Sequence, residues 1–142
     1  MIPIISFSDQ YDWDNFLSES EKIWLIDIAE EEGKEIAELD FVFCSDAYLL
    51  KINQDFLDHD TYTDIITFDY SSGNLIAGEI FISIERVAEN AETFRVAFNN
   101  ELYRVMAHGI LHLCGYEDKT KALKNIMRAK EDFYLTKSSA LK

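Results

Sequence analysis

This sequence holds little of what breaks or staples a chain. Proline occurs once, at Pro3, and glycine five times. Neither clusters, so nothing marks a linker, and one domain over residues 1–142 is expected. Cysteine is limited to Cys44 and Cys114. They stand far apart and form no C-x-x-C, so neither a disulfide framework nor a thiolate metal site is indicated. Both read as buried reduced thiols. No long apolar run occurs, and the N-terminal residues carry no basic segment. A signal peptide, a membrane span and a lipid anchor are not expected, and the cytoplasm is the default compartment. Positive charge is also scarce: 13 basic side chains stand against 27 acidic ones, for a net charge of −14. That balance excludes non-specific coating of nucleic acid. A nucleic-acid role would have to be local, through a small basic patch or a bound cation. Histidine occurs only three times, which makes its placement informative.

What is present is a core. Apolar residues make up 48% and aromatics 13% of the chain. A chain of this size and composition folds without a disulfide or metal as a staple. Residues 2–7 read as a strand. A helix follows over 18–32, with Ile23, Trp24, Leu25, Ile26 and Ile28 as a wide apolar face and Gly33 as its stop. The acidic run Glu30-Glu31-Glu32 lies where the helix dipole disfavours negative charge, and it reads as a solvated surface. Residues 39–44 alternate as a strand. Ser45-Asp46 caps a helix to about residue 56, with Tyr48, Leu49, Ile52 and Phe56 facing inward. A loop over 57–63 carries His59. Strands over 64–70 and 75–84 flank a turn at 71–74, and Gly78 marks a close backbone approach. Three helices complete the chain. They run over 84–94, from a cap at Asn99 or Asn100 to 113, and from a cap within 118–120 to 135. A frayed tail over 136–142 follows. The order predicts a single α+β domain, a four-stranded mixed sheet with about five helices packed on it.

Two histidines fall in one short stretch, HGILHLCGYED, residues 108–118. His108 and His112 are four residues apart, one helical turn, on one face. Two imidazoles so placed hold two corners of a tetrahedral metal. Gly115 is suited to reverse the chain after the helix, and the reversal delivers Asp118, a carboxylate able to be the third ligand. The spacing H-x-x-x-H-x-x-G-x-x-D matches the metzincin pattern at its ligand and turn positions. It lacks the glutamate that a peptidase uses as base; Gly109 stands there. The site keeps a Lewis acid and loses the protease base. Three ligands leave a fourth position open, as in catalytic zinc sites. Cys114 points elsewhere on the helix, and Glu117 is a weaker fourth candidate.

The stretch HGILHLCGY resembles the H-G-x-L-H-L-x-G-Y-D-H signature of the YbeY-type endoribonucleases, also called rRNA maturation factors. NQDFLDHDTYTDIITF, residues 53–68, is similar to the family's segment ending in T-[DN]-V-L-S-F. GEIFIS, residues 78–83, is similar to its G-D-I-x-I-S strand. The resemblance implies a small α+β domain with a zinc held by three side chains. It also implies hydrolysis of single-stranded RNA phosphodiesters in ribosomal RNA maturation and ribosome quality control, with RNA or ribosomal subunits as partners. The family's ligands fall on His108, His112 and Asp118, the last in place of a histidine. A family arginine falls on Leu57. Arg104, one turn before His108, is the candidate to take its phosphate-binding role. Glu117 and His59 are further catalytic candidates, and Glu79 a supporting one. Arg86, Arg95, Arg104, Lys119, Lys121 and Lys124 are candidates for a local basic patch. The competing readings are a metal-binding ribosome-assembly factor without catalysis, a metallopeptidase or small-molecule hydrolase, and a purely structural metal site.

Overall fold

The computed structural model describes residues 2–57 and 63–138. Strand β1 (Ile4–Asp9) leads to helix α1 (Glu19–Glu31) and strand β2 (Glu35–Cys44). Helix α2 (Asp46–Leu57) is followed by the hairpin of β3 (Ile65–Asp69) and β4 (Leu75–Ser83). Helices α3 (Ile84–Phe94), α4 (Phe98–Leu113) and α5 (Lys121–Leu135) close the chain. The sheet order is β1-β2-β4-β3. β1, β2 and β4 run parallel, and β3 pairs antiparallel with β4. The expected α+β architecture, with four strands in a mixed sheet and five helices among the described residues, is what forms.

The two faces of the sheet are covered unequally. Leu39, Phe41 and Phe43 of β2 and Ile76, Ile80 and Ile82 of β4 join α1, α4 and α5 in the main core. The alternate residues turn to the other face, where Ile66 and Phe81 meet Leu49 and Ile52 of α2 in a small second cluster. Among the described residues no helix is long and apolar enough to cross a membrane. Cys44 and Cys114 are free thiols, the first fully buried. Burial and nearby carboxylates push both up to about 12, so they are inert as nucleophiles.

Several boundaries differ from the sequence reading. β2 begins at Glu35, not residue 39. A register shift against β4 between Ile36 and Glu38 interrupts its alternation, which concealed the start. β1 runs over Ile4–Asp9 because its parallel pairing with β2 continues to Asp9↔Phe43. α4 begins at Phe98 after Ala97, with no side-chain cap, so neither Asn99 nor Asn100 caps it. Packing of the Phe98 ring against Trp13, 6.2 Å between centroids, outweighs capping preference there. Ile23 and Tyr48 face outward, while Trp24, Leu25, Ile28, Leu49 and Ile52 form the buried faces of their helices. The side chain of Phe56 lies outside the described residues, as do residues 139–142 of the tail.

Candidate metal centre

Helix α4 lies against β3 and β4 through a residue without a side chain. A Cβ built at Gly109 would stand 3.0 Å from Ile65 Cδ1 and 3.0 Å from both Ile80 Cδ1 and Cγ2. Gly109 therefore faces the sheet, and a β-carbon there would press on the Ile65 and Ile80 side chains, which would have to give by a few tenths of an ångström. The position where a metalloprotease carries its glutamate is here a packing position. Gly78 plays the matching part at the helix end, where a Cβ would meet Phe68 O at 2.6 Å and the Leu113 methyls at 3.0 and 3.2 Å. Together these glycines seat α4 close on the sheet. His108 and His112 remain on its outer side.

The turn after α4 is built as the spacing predicts. Gly115 takes φ +108°. Its N–H donates to His112 O at 3.0 Å, and the Tyr116 N–H donates to Leu111 O at 3.1 Å. This paired closure satisfies the last carbonyls of the helix. It turns the chain back so that Asp118 meets the two histidines. His108 Nε2 and His112 Nε2 are 2.9 Å apart, and Asp118 Oδ2 lies 3.3 and 3.6 Å from them. The three residues form the one metal-competent cluster among the described residues.

The outer nitrogens decide the protonation. His112 Nδ1 lies 2.9 Å from the Tyr116 carbonyl, which only accepts, so it carries the ring's hydrogen. His108 Nδ1 lies 2.7 Å from Glu131 Oε2 and donates to that carboxylate. In the neutral rings both Nε2 atoms then aim lone pairs at the Asp118 oxygen and at each other. With both rings neutral, the three atoms are all acceptors within 3.6 Å of one another, a set that a metal ion, or a second proton on His108, would satisfy. Atoms bound to one tetrahedral zinc at ~2.0–2.2 Å stand roughly 3.3–3.6 Å apart; both Asp118 distances match that spacing, and the two imidazole nitrogens at 2.9 Å stand closer than it. His108 and Asp118 border one cleft, and His112 and Asp118 border the groove beside it, so the cluster is reachable from solvent.

The backing of His108 was not legible in the sequence. Glu131 of α5 is 5% exposed. Its second oxygen takes Arg104 Nη1 at 3.1 Å, while Arg104 Nη2 holds Asp132 at 2.6 Å. Burial alone would lower the His108 pKa, but its hydrogen bond to Glu131 and the charges of Glu131, Asp118 and Asp64 raise it above the usual histidine range. A signal existed: Met127, Glu131, Tyr134 and Leu135 share one buried helical stripe, and a glutamate on such a stripe needs a partner. Glu101, on the buried face of α4, is a second case. Burial and the Asp64 charge push its carboxyl up, against the pull of Arg104 and Arg128. Asp64 is likewise raised by burial. Both line a cleft of about 320 Å³ that His108 and Arg104 also border.

The remaining sequence candidates are distributed around this centre. Arg104 borders the cleft and is ion-paired, 14% exposed at its side chain. Glu117 is exposed and lies with His112 in the neighbouring groove. His59 and the side chain of Leu57 lie outside the described residues. Glu79 shares the register position of Phe68, on the face opposite α4, and accepts the Tyr70 hydroxyl at 2.9 Å. Of the basic residues, Lys124 and Arg104 border the cleft and Lys119 the groove. Arg86 instead pairs with Asp46 at 2.8 Å.

One further reading needs correcting. Glu32, taken with Glu30 and Glu31 as a solvated run, is 8% exposed at its side chain. It accepts the Tyr116 hydroxyl at 2.5 Å, the Tyr134 hydroxyl, and Lys130 Nζ at 3.0 Å. The turn carrying Asp118 is thereby tied to the end of α1.

The fold and the cluster define a class: a small α+β domain with a histidine–carboxylate cluster able to hold a metal ion on one helix and the turn after it. A family model described as endoribonuclease YbeY matches residues 5–139. The chain is 50% identical over 129 residues to the endoribonuclease YbeY of Flavobacterium psychrophilum, covering 91% of this chain and 92% of that one. It is 56% identical over 116 residues to that of Cytophaga hutchinsonii, covering 81% of each. The solution structure of TM1509 from Thermotoga maritima is similar, with a TM-score of 0.67 and 27% identity over 95% of this chain and 89% of that one. The chain belongs to the YbeY endoribonuclease family.

Proposed function

We propose that residues 1–142 form a zinc-dependent, cytoplasmic endoribonuclease that hydrolyses single-stranded RNA phosphodiesters in ribosomal RNA maturation and ribosome quality control. The observation that carries this is the convergence of two imidazole lone pairs and the Asp118 oxygen, 2.9–3.6 Å apart, in a chain of this family. A zinc ion there would supply Lewis acidity toward a phosphate oxygen or a water. His108, His112 and Asp118 would hold it. Glu131 and the Tyr116 carbonyl fix the two rings. An aspartate ligand in place of a histidine makes the site harder and less positive, which favours ions other than zinc more than a three-histidine set would.

The rest of the chemistry falls to the cleft and groove. Lys124 and Arg128 border the cleft and add positive charge for the RNA backbone in an otherwise acidic protein. Arg104 is committed to Glu131 and Asp132, so in this reading it reaches a phosphate only by field or by exchanging Asp132. Glu117, beside Asp118 and open to solvent, is the candidate proton acceptor. His59 is kept as a candidate from the sequence alone. A 2′-hydroxyl nucleophile would confine the activity to RNA.

The test is metal analysis of the purified protein beside Asp118→Ala, followed by cleavage of a single-stranded RNA. We expect close to one zinc per chain, lost in the variant, and cleavage lost with it. A protein that takes up no metal when zinc is supplied sinks the reading. The second reading, a ribosome-assembly factor that binds metal but cleaves nothing, is favoured by Leu57 at the arginine position and by the engagement of Arg104. Metal-loaded protein that binds ribosomal subunits but leaves RNA intact would select it.

A further inference from the structure

The cleft beside the metal cluster has one feature that cation binding does not use. Glu101 is 4% exposed, yet takes no hydrogen bond or ion pair from any described side chain. Its carboxyl borders the cleft instead. Its oxygens are not fully enclosed, since neither is among the described side-chain atoms that are both buried and without a hydrogen bond, so a ligand in the cleft can reach them. The walls say which kind. Asp64, Glu131 and Asp118 oppose an anion, while Arg104, Lys124 and Arg128 oppose a simple cation. A neutral group rich in N–H donors satisfies both signs. Phe94, 57% exposed, forms an aromatic wall of the same cleft. An exposed ring above hydrogen-bonding groups is how proteins take an unstacked base of a single strand.

We propose that this cleft is a nucleobase subsite in which Glu101 accepts the Watson–Crick edge of a guanine stacked on Phe94. The inference rests on the RNA reading given above. Guanine presents two adjacent donors, N1–H and the N2 amino group, to the two carboxylate oxygens. Adenine and cytosine offer one amino group there, and uracil one imino N–H. The cleft shares His108 and Asp118 with the cluster, so a guanine held in it would place the adjoining phosphate beside the metal ligands.

The test is equilibrium binding of the four nucleoside 3′-monophosphates to the zinc-supplied full chain, by calorimetry. Guanosine 3′-monophosphate should bind about tenfold tighter than the adenosine, cytidine and uridine compounds, as a bidentate base contact does. Glu101→Gln, which holds only one acceptor, should erase that preference. Phe94→Ala, at an exposed position, should weaken all four by about tenfold. Equal affinities for the four nucleotides on wild-type protein overturn the inference, whatever the variants do. A preference that survives in folded Glu101→Gln also overturns it. A guanine preference without RNA cleavage under any metal leaves the subsite standing and removes the nuclease reading. Cleavage without a base preference does the reverse.

Discussion

His108 and His112 are the same residue type, one turn apart on one helix, with the same tautomer and the same target. They differ in what holds them. His112 is fixed by a carbonyl four residues on, within the turn that ends its own helix. His108 is fixed by Glu131, 23 residues on, across the packing of α5 against α4. One ring depends on local backbone geometry, the other on a buried side-chain network of Glu131, Arg104 and Asp132. The difference matters for a metal centre because the backing sets both ring orientation and basicity. It also says which parts of the site fail separately.

The largest effect should come from the element common to both rings. Asp118→Ala removes an oxygen 3.3 and 3.6 Å from the two Nε2 atoms. Zinc content measured by elemental analysis should fall from about one per chain to near zero. Retention of full zinc would mean that some other group completes the set. Next comes the His108 side alone. Glu131→Gln should lower metal affinity about 10–100-fold, as loss of a supporting carboxylate does. Competition with a chelating dye measures it, and an unchanged affinity would reduce Glu131 to a packing partner of Arg104. The His112 side breaks through its turn. Gly115→Ala must hold φ +108°, a conformation a β-carbon disfavours, and should cost about 1–3 kcal/mol in urea unfolding. A variant as stable as wild type would show that the turn closure tolerates a β-carbon. Gly109→Ala should cost a similar ~1–3 kcal/mol by overpacking against Ile65 and Ile80. Partial rescue by Ile80→Val would locate the strain at the sheet contact.

The same division explains what the sequence disclosed. The cluster of His108, His112 and Asp118 was legible because helix period and a glycine turn are local devices. The four strands and five helices were legible for the same reason, through apolar period and turn residues. What was hidden depends on contacts between distant elements. Glu131 gains its partner only when α5 docks on α4. Gly109 reads as a missing base until the sheet is seen beneath it. The β2 start was masked by a register shift, and Phe98 begins α4 because Trp13 receives its ring. Glu32 looked solvated because nothing near it in sequence predicts the two tyrosines and the lysine that surround it.

Glu32 also supplies the smallest test, since it touches the metal turn only through Tyr116. Burial alone would raise its carboxyl, but the Tyr116 and Tyr134 hydroxyls and Lys130 more than offset that and hold it below the ordinary glutamate value. A carboxylate depressed in the folded state contributes stability above its unfolded pKa of about 4.3. That contribution shrinks as pH falls through the lower folded value, because the unfolded chain takes up the proton first. Urea midpoints between pH 7 and pH 3 should therefore fall less steeply in Glu32→Gln than in wild type, with the two curves converging at the acid end. Since the brace reaches Tyr116 through its hydroxyl, Tyr116→Phe should flatten the same limb while leaving the Tyr116 carbonyl on His112 in place. Metal affinity lost in Tyr116→Phe as deeply as in Glu131→Gln would show that the local side of the centre is no more self-sufficient than the other.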